Sequence, residues 1–362
     1  RKKILLPFQD PYGRPLDHPI VSGGTEMFCK LIYENFDVEV LQLEDKDTLS
    51  KKGLYSRKTT DEQQKSILEK AEQCNADIII NNFAWSSFCG SIVSQSHVPV
   101  MNIEHCFYPF LSIVNKWHNL LKNGHSLFLV SNLQKKYYDG MNERIGKMNK
   151  KIGKRPLPIN LLNPSFCKTK PEILDIEYDC GTIGRCDKEK NPFKLKDMTK
   201  DTDFRTLVIS SKSSNTDKQG QYYEKNKNWS DTIWDKPHDE VVKNISKCGT
   251  FFSTWNRETW GITALEALSC GVPVILNSNK NGDHASEIIP ASENHYKKIP
   301  TNDKEALANA IKSFKNIDRK EIQEMTLEKH SLKNWKKQML DCMSYTIDNF
   351  KSKTSNLKKF IN

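Results

Sequence analysis

The run Trp255-Asn-Arg-Glu258-Thr-Trp260-Gly261-Ile262-Thr-Ala-Leu-Glu266-Ala-Leu-Ser-Cys270-Gly271-Val-Pro-Val-Ile-Leu276 decides how this chain is read. A helix starting near Trp260 leaves Glu258 in the loop at its mouth and Glu266 two turns inside. At 3.6 residues per turn the two carboxylates lie about 80° apart, so they do not stack. Close behind Glu258, Gly261 lets unpaired backbone N–H groups of the helix start face an anion. The run from Gly271 to Leu276 then ends the helix and opens a buried strand. Together these features suit a phosphorylated ligand that also bears hydroxyls.

Outward from this run, the chain alternates strand and helix signals. Residues 3–8, 38–43, 76–82, 98–105 and 126–131 are apolar, strand-like runs, with helical patterns at 25–33 and 61–73. A second series begins at 178–184 and continues through 207–211, 250–253 and 272–276. Such alternation predicts an α/β fold of parallel sheets with crossover helices. The 362 residues are natural for two domains. The expected division is 1–165, 166–335, and a terminal helix in 336–362 crossing back to the N-terminal domain. The polar segment 213–230 is expected to be a loop.

Hydrophobic residues make up 37% and charged residues 28%, the balance of a globular chain. No apolar run approaches the roughly 18 residues of a membrane span. The basic start, Arg1-Lys2-Lys3, precedes a run too short for a signal peptide. Ten cysteines are scattered without metal-ligand spacing, which predicts reduced, buried thiols and a cytoplasmic location. A net charge of +10 favours a polyanionic partner, nucleic acid or anionic membrane alike.

Other candidates sit at strand ends. Gly23 and Gly24 precede a helix, where glycines admit close approach of a ligand to backbone. Arg185 ends a strand, and Lys190 follows it. A planar guanidinium and a mobile ammonium at the carboxyl edge of a sheet suit phosphate oxygens, with Lys188 competing for the second role. His105 ends another strand, and Asn81, Asn82 and Trp85 follow a third. Taken singly, each has an ordinary alternative: a turn, a solvated charge or a core histidine.

Taken together, residues 258–274, Ile183-Gly184-Arg185-Cys186-Asp187-Lys188-Glu189-Lys190 and Gly23-Gly24 resemble the retaining nucleotide-sugar glycosyltransferases of the large family that includes sucrose synthase and many bacterial mannosyltransferases. The resemblance implies a GT-B fold, two Rossmann-like domains facing a central cleft, and a nucleotide-sugar co-substrate, UDP being the commonest. It implies no prosthetic group and no essential metal. Glu258 would contact donor sugar hydroxyls and Glu266 the ribose. Arg185 and Lys190 would neutralise the departing diphosphate, helped by backbone N–H groups at Gly261 and Ile262. Gly24 would let the first domain close over the donor, and His105 would lie near the transferred sugar. The match departs from the family at Trp260, Ile262 and Asn191-Pro192.

The acceptor is less marked. Lys135, Lys136, Lys147, Lys150, Lys151, Lys154 and Arg155, with Arg144, form a basic stripe suited to duplex DNA carrying hydroxymethylated cytosine, as in some phages. Tyr137, Tyr138, Tyr222, Tyr223 and Trp229 are candidates to stack on an extruded base. The same charge suits a lipid-linked or polysaccharide acceptor at an anionic membrane. A non-catalytic nucleotide-sugar-binding module is the reading from a different class.

Overall fold

The computed structural model describes residues 2–8, 15–17, 24–43, 61–82, 95–105, 111–148, 159–162, 170–188, 190–211, 217–255, 260–278 and 293–359. Glu258, Gly23, Trp85, Lys150, Lys151, Lys154 and Arg155 lie outside them, as do Cys89, Cys106 and Cys167. Two compact units form, Arg1–Pro164 with Trp335–Asn362, and Ser165–Asn334.

In the first unit, β1 (Ile4–Phe8), β2 (Val38–Gln42), β3 (Ile78–Asn81), β4 (Val100–Glu104), β5 (Ser126–Leu129) and β6 (Ile159–Leu161) form one sheet ordered β2-β1-β3-β4-β5-β6. Every pairing is parallel. The crossovers include α1 (Gly24–Asn35), α2 (Asp61–Gln73), α3 (Leu111–Lys122) and α4 (Asn132–Met148). Strands β1, β3, β4 and β5 are buried throughout, as expected where helices cover both faces, and edge strand β2 is only half-buried. Polar side chains on these strands are paired sideways: Asn81 Nδ2 donates to Asn102 Oδ1 at 2.7 Å, and Asn102 Nδ2 to Ser126 O at 3.0 Å.

The second unit repeats the plan with β7 (Cys180–Arg185), β8 (Thr206–Ser211), β9 (Thr232–Trp234), β10 (Phe251–Ser253), β11 (Val274–Ser278) and β12 (Tyr296–Pro300). Their order is β12-β11-β10-β7-β8-β9, again parallel. Edge strand β12 exposes Lys297 and Lys298, charges that discourage pairing with another sheet. The helices are α5 (Lys194–Thr199), α6 (Asp217–Asn226), α7 (His238–Ile245), α8 (Ile262–Ser269), α9 (Lys304–Ser313) and α10 (Arg319–Lys329). Asp303 and Asp318 cap α9 and α10, accepting backbone N–H groups through their carboxylates.

One expectation needs correction. Within 213–230, expected to be a loop, α6 occupies Asp217–Asn226, and Tyr222 and Tyr223 pack on a cluster of Cys186, Phe193 and Val208. These half-buried aromatics anchor the helix where no aliphatic stripe announces it. The central helix, α8, starts at Ile262, near Trp260 as expected, behind Gly261, whose backbone is left-handed with φ 87°.

The last helix is α11 (Leu332–Lys359). In the first unit it buries Trp335 against Phe28, edge to face at 5.7 Å, and stacks Phe350 on His125. None of the helices formed by the described residues is long and apolar enough to cross a membrane. Cys29, Cys74, Cys180, Cys186, Cys248, Cys270 and Cys342 are buried free thiols.

Helix α8 ends at Gly271, whose φ is +72° and where an added Cβ would meet Arg319 O at 2.3 Å. Gly271→Ala is therefore strained twice, by conformation and by collision with backbone. It is expected to destabilise the protein by about 2–4 kcal/mol, read as a fall in the urea unfolding midpoint.

Candidate active site

Each sheet reverses direction once in strand order, between β1 and β3 and between β7 and β10. Open parallel sheets bind ligands beyond the carboxyl ends of the strands at such a reversal. Arg185 ends β7 there, and its Nε lies 3.3 Å from Asp187 Oδ2. The Asp187 side chain is almost fully buried, and its other oxygen accepts the Lys190 backbone N–H at 2.6 Å. One carboxylate thus braces both cations of the turn. Asn191 closes the turn at φ 40°, donating its N–H to Asp187 O, and its side-chain oxygen accepts from the Tyr222 hydroxyl.

The turn is stapled across the reversal to the end of β10. Thr254 Oγ1 donates to Lys190 O at 2.7 Å, and Asn277 Nδ2 donates to Thr254 O at 2.7 Å. The Lys190 ammonium stands 4.8 Å from the centre of the Trp255 ring, within range of a cation–π attraction. The cationic loop is held by its backbone at both ends and by an aromatic face at its tip.

Gly261 opens α8 without a side-chain cap. The first-turn N–H groups that begin at Ile262 have no partner inside the helix, which makes its start a donor-rich, positive end. Glu266 is buried on the same helix, and His238 Nε2 lies 2.8 Å from its Oε1. A carboxylate only accepts, so the imidazole donates. His238 is the first residue of α7, so this bond ties the start of α7 to the middle of α8.

In the first unit Gly24 begins α1. His105 follows β4, and its Nε2 lies 2.7 Å from Asn82 Oδ1, just past β3. Burial pushes the His105 imidazole down from its ordinary value to about 3, so it is neutral. Among the described residues no group of three or more His, Cys, Asp and Glu could hold a metal ion.

The basic stripe is modest where it is described. On α4, Lys135 pairs with Asp139 at 2.6 Å and Lys147 with Glu143 at 3.8 Å, while Lys136 is exposed. The stacking role for Tyr138 is overturned: its ring is buried against Trp117 at 4.8 Å. Tyr222 and Tyr223 pack within the second unit, against Cys186, Phe193 and Val208, and Trp229 donates its Nε1–H to Asn226. Sequence reasoning passed over Asp187, Thr254, Trp255 and His238. Asp187 was the one with a signal, an acid between two cations on a tight turn.

Residues 169–329 match the family model of glycosyl transferases group 1. No curated protein matches the chain in sequence. Sucrose-phosphate synthase from Thermosynechococcus elongatus superposes with a TM-score of 0.63 at 14% identity, over 94% of this chain and 98% of that one. Anabaena Alr3699/HepE, solved with UDP and glucose, does so with 0.67 at 15%, over 95% and 100%. AviGT4, a glycosyltransferase of avilamycin A biosynthesis, gives 0.61 at 10%, over 96% and 98%. The shared fold is GT-B, with its two Rossmann-like domains.

The depressed His105 value carries a stability consequence. Between pH 6.5 and about 3 the unfolded chain binds a proton at this site that the folded chain does not. Stability should fall as pH drops through that window. A His105→Gln variant should lose less on the same descent, visible as a shallower decline of Tm between pH 6.5 and 4.

Proposed function

We propose, from a second unit that is a glycosyl transferases group 1 domain in a GT-B fold, that this protein transfers a sugar from a UDP-sugar to a hydroxyl acceptor with retained configuration. The observation that carries the reading is the braced pair Arg185 and Lys190 at the strand-order reversal, in the same unit as the uncapped start of α8. Breaking the bond from the sugar C1 to the phosphate oxygen leaves an oxocarbenium-like centre and a diphosphate of growing negative charge. Cations and amides held in place before the reaction stabilise that charge without reorganising. Alr3699/HepE, solved in complex with UDP-glucose, supports UDP as the nucleotide.

In this reading Arg185 and Lys190 hold the diphosphate, with N–H groups of Gly261 and Ile262. Glu266 accepts from the ribose hydroxyls, its second neighbour His238 fixing the carboxylate. Glu258 receives the donor sugar hydroxyls. The acceptor oxygen attacks C1 on the face that the leaving group vacates, and its proton passes to the departing phosphate oxygen. No protein nucleophile and no metal enter this scheme.

For the acceptor, we favour a hydroxyl of a glycan or lipid-linked sugar. TarM, similar in fold, was solved with fondaparinux and α-GlcNAc-glycerol, and WaaB is a lipopolysaccharide galactosyltransferase. Hydroxymethylcytosine in duplex DNA is the second reading, carried by the net charge of +10 and by exposed Lys136, Arg144 and Lys147 on α4.

Incubation with radiolabelled UDP-glucose and other UDP-sugars tests the reaction; complete inertness, without transfer or hydrolysis, leaves a nucleotide-sugar-binding module. Label offered in parallel to a lipid extract, soluble glycans and hydroxymethylcytosine DNA separates the acceptors. Glu258→Ala should abolish transfer while UDP still binds. Arg185→Ala should weaken UDP binding by about 10–100-fold, the loss of one charge-assisted bond, measured by calorimetry. Unchanged affinity in that variant would remove Arg185 from the diphosphate site.

A further inference from the structure

Asn82 and His105 stand side by side at the carboxyl edge of the first sheet, past β3 and β4. The Asn82 amide nitrogen donates to Thr25 O at 2.8 Å and approaches Cys29 Sγ at 3.2 Å, both on α1. The flipped amide would set its oxygen against the Thr25 carbonyl, two acceptors face to face. The orientation is therefore fixed by chemistry. What remains of the amide is Oδ1, which can only accept, and it lies 2.7 Å from His105 Nε2. The hydrogen in that contact has one source, the imidazole. The edge of Phe28 meets the His105 ring at 5.2 Å and 68°, restraining its plane. With burial disfavouring a second proton, the lone pair of the ring is left on Nδ1.

We infer that Asn82 is a positioning residue that holds His105 in the Nε2–H tautomer, so that any group meeting Nδ1, a substrate hydroxyl included, must donate its hydrogen to the ring. The tautomer follows from the first unit alone; its consequence for a sugar rests on the transfer reading above. A sugar hydroxyl that reaches Nδ1 then donates to it and receives no proton from it.

The test is long-range proton–nitrogen NMR on the full chain labelled with 15N-histidine, with His105→Gln identifying the His105 signals by their loss. At neutral pH the expected result is a protonated Nε2 and a lone-pair Nδ1. A protonated Nδ1 beside a bare Nε2 overturns the assignment. In Asn82→Leu both nitrogens should move to intermediate shifts as the tautomers mix; an unchanged Nε2–H pattern means that Asn82 does not set it. Should that variant fail to fold, Asn82→Asp replaces it. A carboxylate beside Nε2 accepts as the amide oxygen does, so Nε2 should stay protonated, and a protonated Nδ1 beside a bare Nε2 again overturns the proposal. These spectra need no donor, so a protein inert to UDP-sugars can still show the tautomer, which separates the two failures. Where transfer is observed, Asn82→Leu should lower kcat about tenfold, the worth of one aligned hydrogen bond, with UDP affinity unchanged. Wild-type kcat alongside mixed tautomers would sink the substrate half of the inference.

Discussion

The guanidinium of Arg319 donates to four backbone carbonyls: Ser246 at 2.6 Å, Leu174 at 2.8 Å, Gly271 at 3.2 Å and Cys270 at 3.4 Å. Ser246 and Cys270 are the C-caps of α7 and α8. A helix end carries carbonyls without partners and a partial negative charge, and a half-buried cation answers both. Burial lowers the Arg319 value, but an arginine stays charged. One side chain therefore locks the far ends of the two helices that bear His238 and Glu266. The tight exit at Gly271 belongs to the same arrangement, because only a residue without Cβ leaves the Arg319 backbone its place. Bonds at the carboxyl edge of the sheet can be short and directional because their supports are fixed at the other end.

Asp187 raises an apparent conflict. In the proposed reading, a site for a diphosphate would place a buried carboxylate beside one of its two cations, which reduces the positive charge on offer. The geometry resolves it. Asp187 spends one oxygen on the backbone N–H of Lys190, not on its ammonium, and meets Arg185 at Nε. The Lys190 ammonium is steadied by the Trp255 ring, a partner without net charge. What is lost in charge is regained in preorganisation: a turn with a left-handed residue at Asn191 would otherwise sample many shapes, and a cation whose position is averaged stabilises a developing charge poorly.

Much of this was legible in the chain. Fully buried parallel strands read as near-continuous apolar runs, so 3–8, 76–82, 98–105 and 272–276 declared both sheets. The Glu258–Glu266 run declared the helix and strand at the reversal. What escaped depended on contacts distant in sequence. His238 meets Glu266 over 28 positions and Thr254 meets Lys190 over 64, and no local pattern links them. Tyr138 misled because an aromatic beside basic residues looks like a stacking platform until Trp117 is found covering it. Helix α6 escaped because polar composition hides a helix whose few aromatics do the packing.

The two units also differ in electrostatic character, and the difference follows from their strand ends. The second unit puts a guanidinium, an ammonium and an uncapped helix start at its edge, all suited to anionic oxygens. The first puts there Asn82 and a His105 that burial keeps uncharged. A nucleotide-sugar is divided in the same way, into a charged diphosphate and a neutral, hydroxyl-bearing sugar. A charged imidazole would draw anionic oxygens and would meet hydroxyls only as a donor. A neutral ring of fixed tautomer does neither. The network from Thr25 through Asn82 to His105 is thus what chemistry would ask of a surface for polar but uncharged groups, and its cost is the burial of an imidazole that water would protonate near pH 6.5.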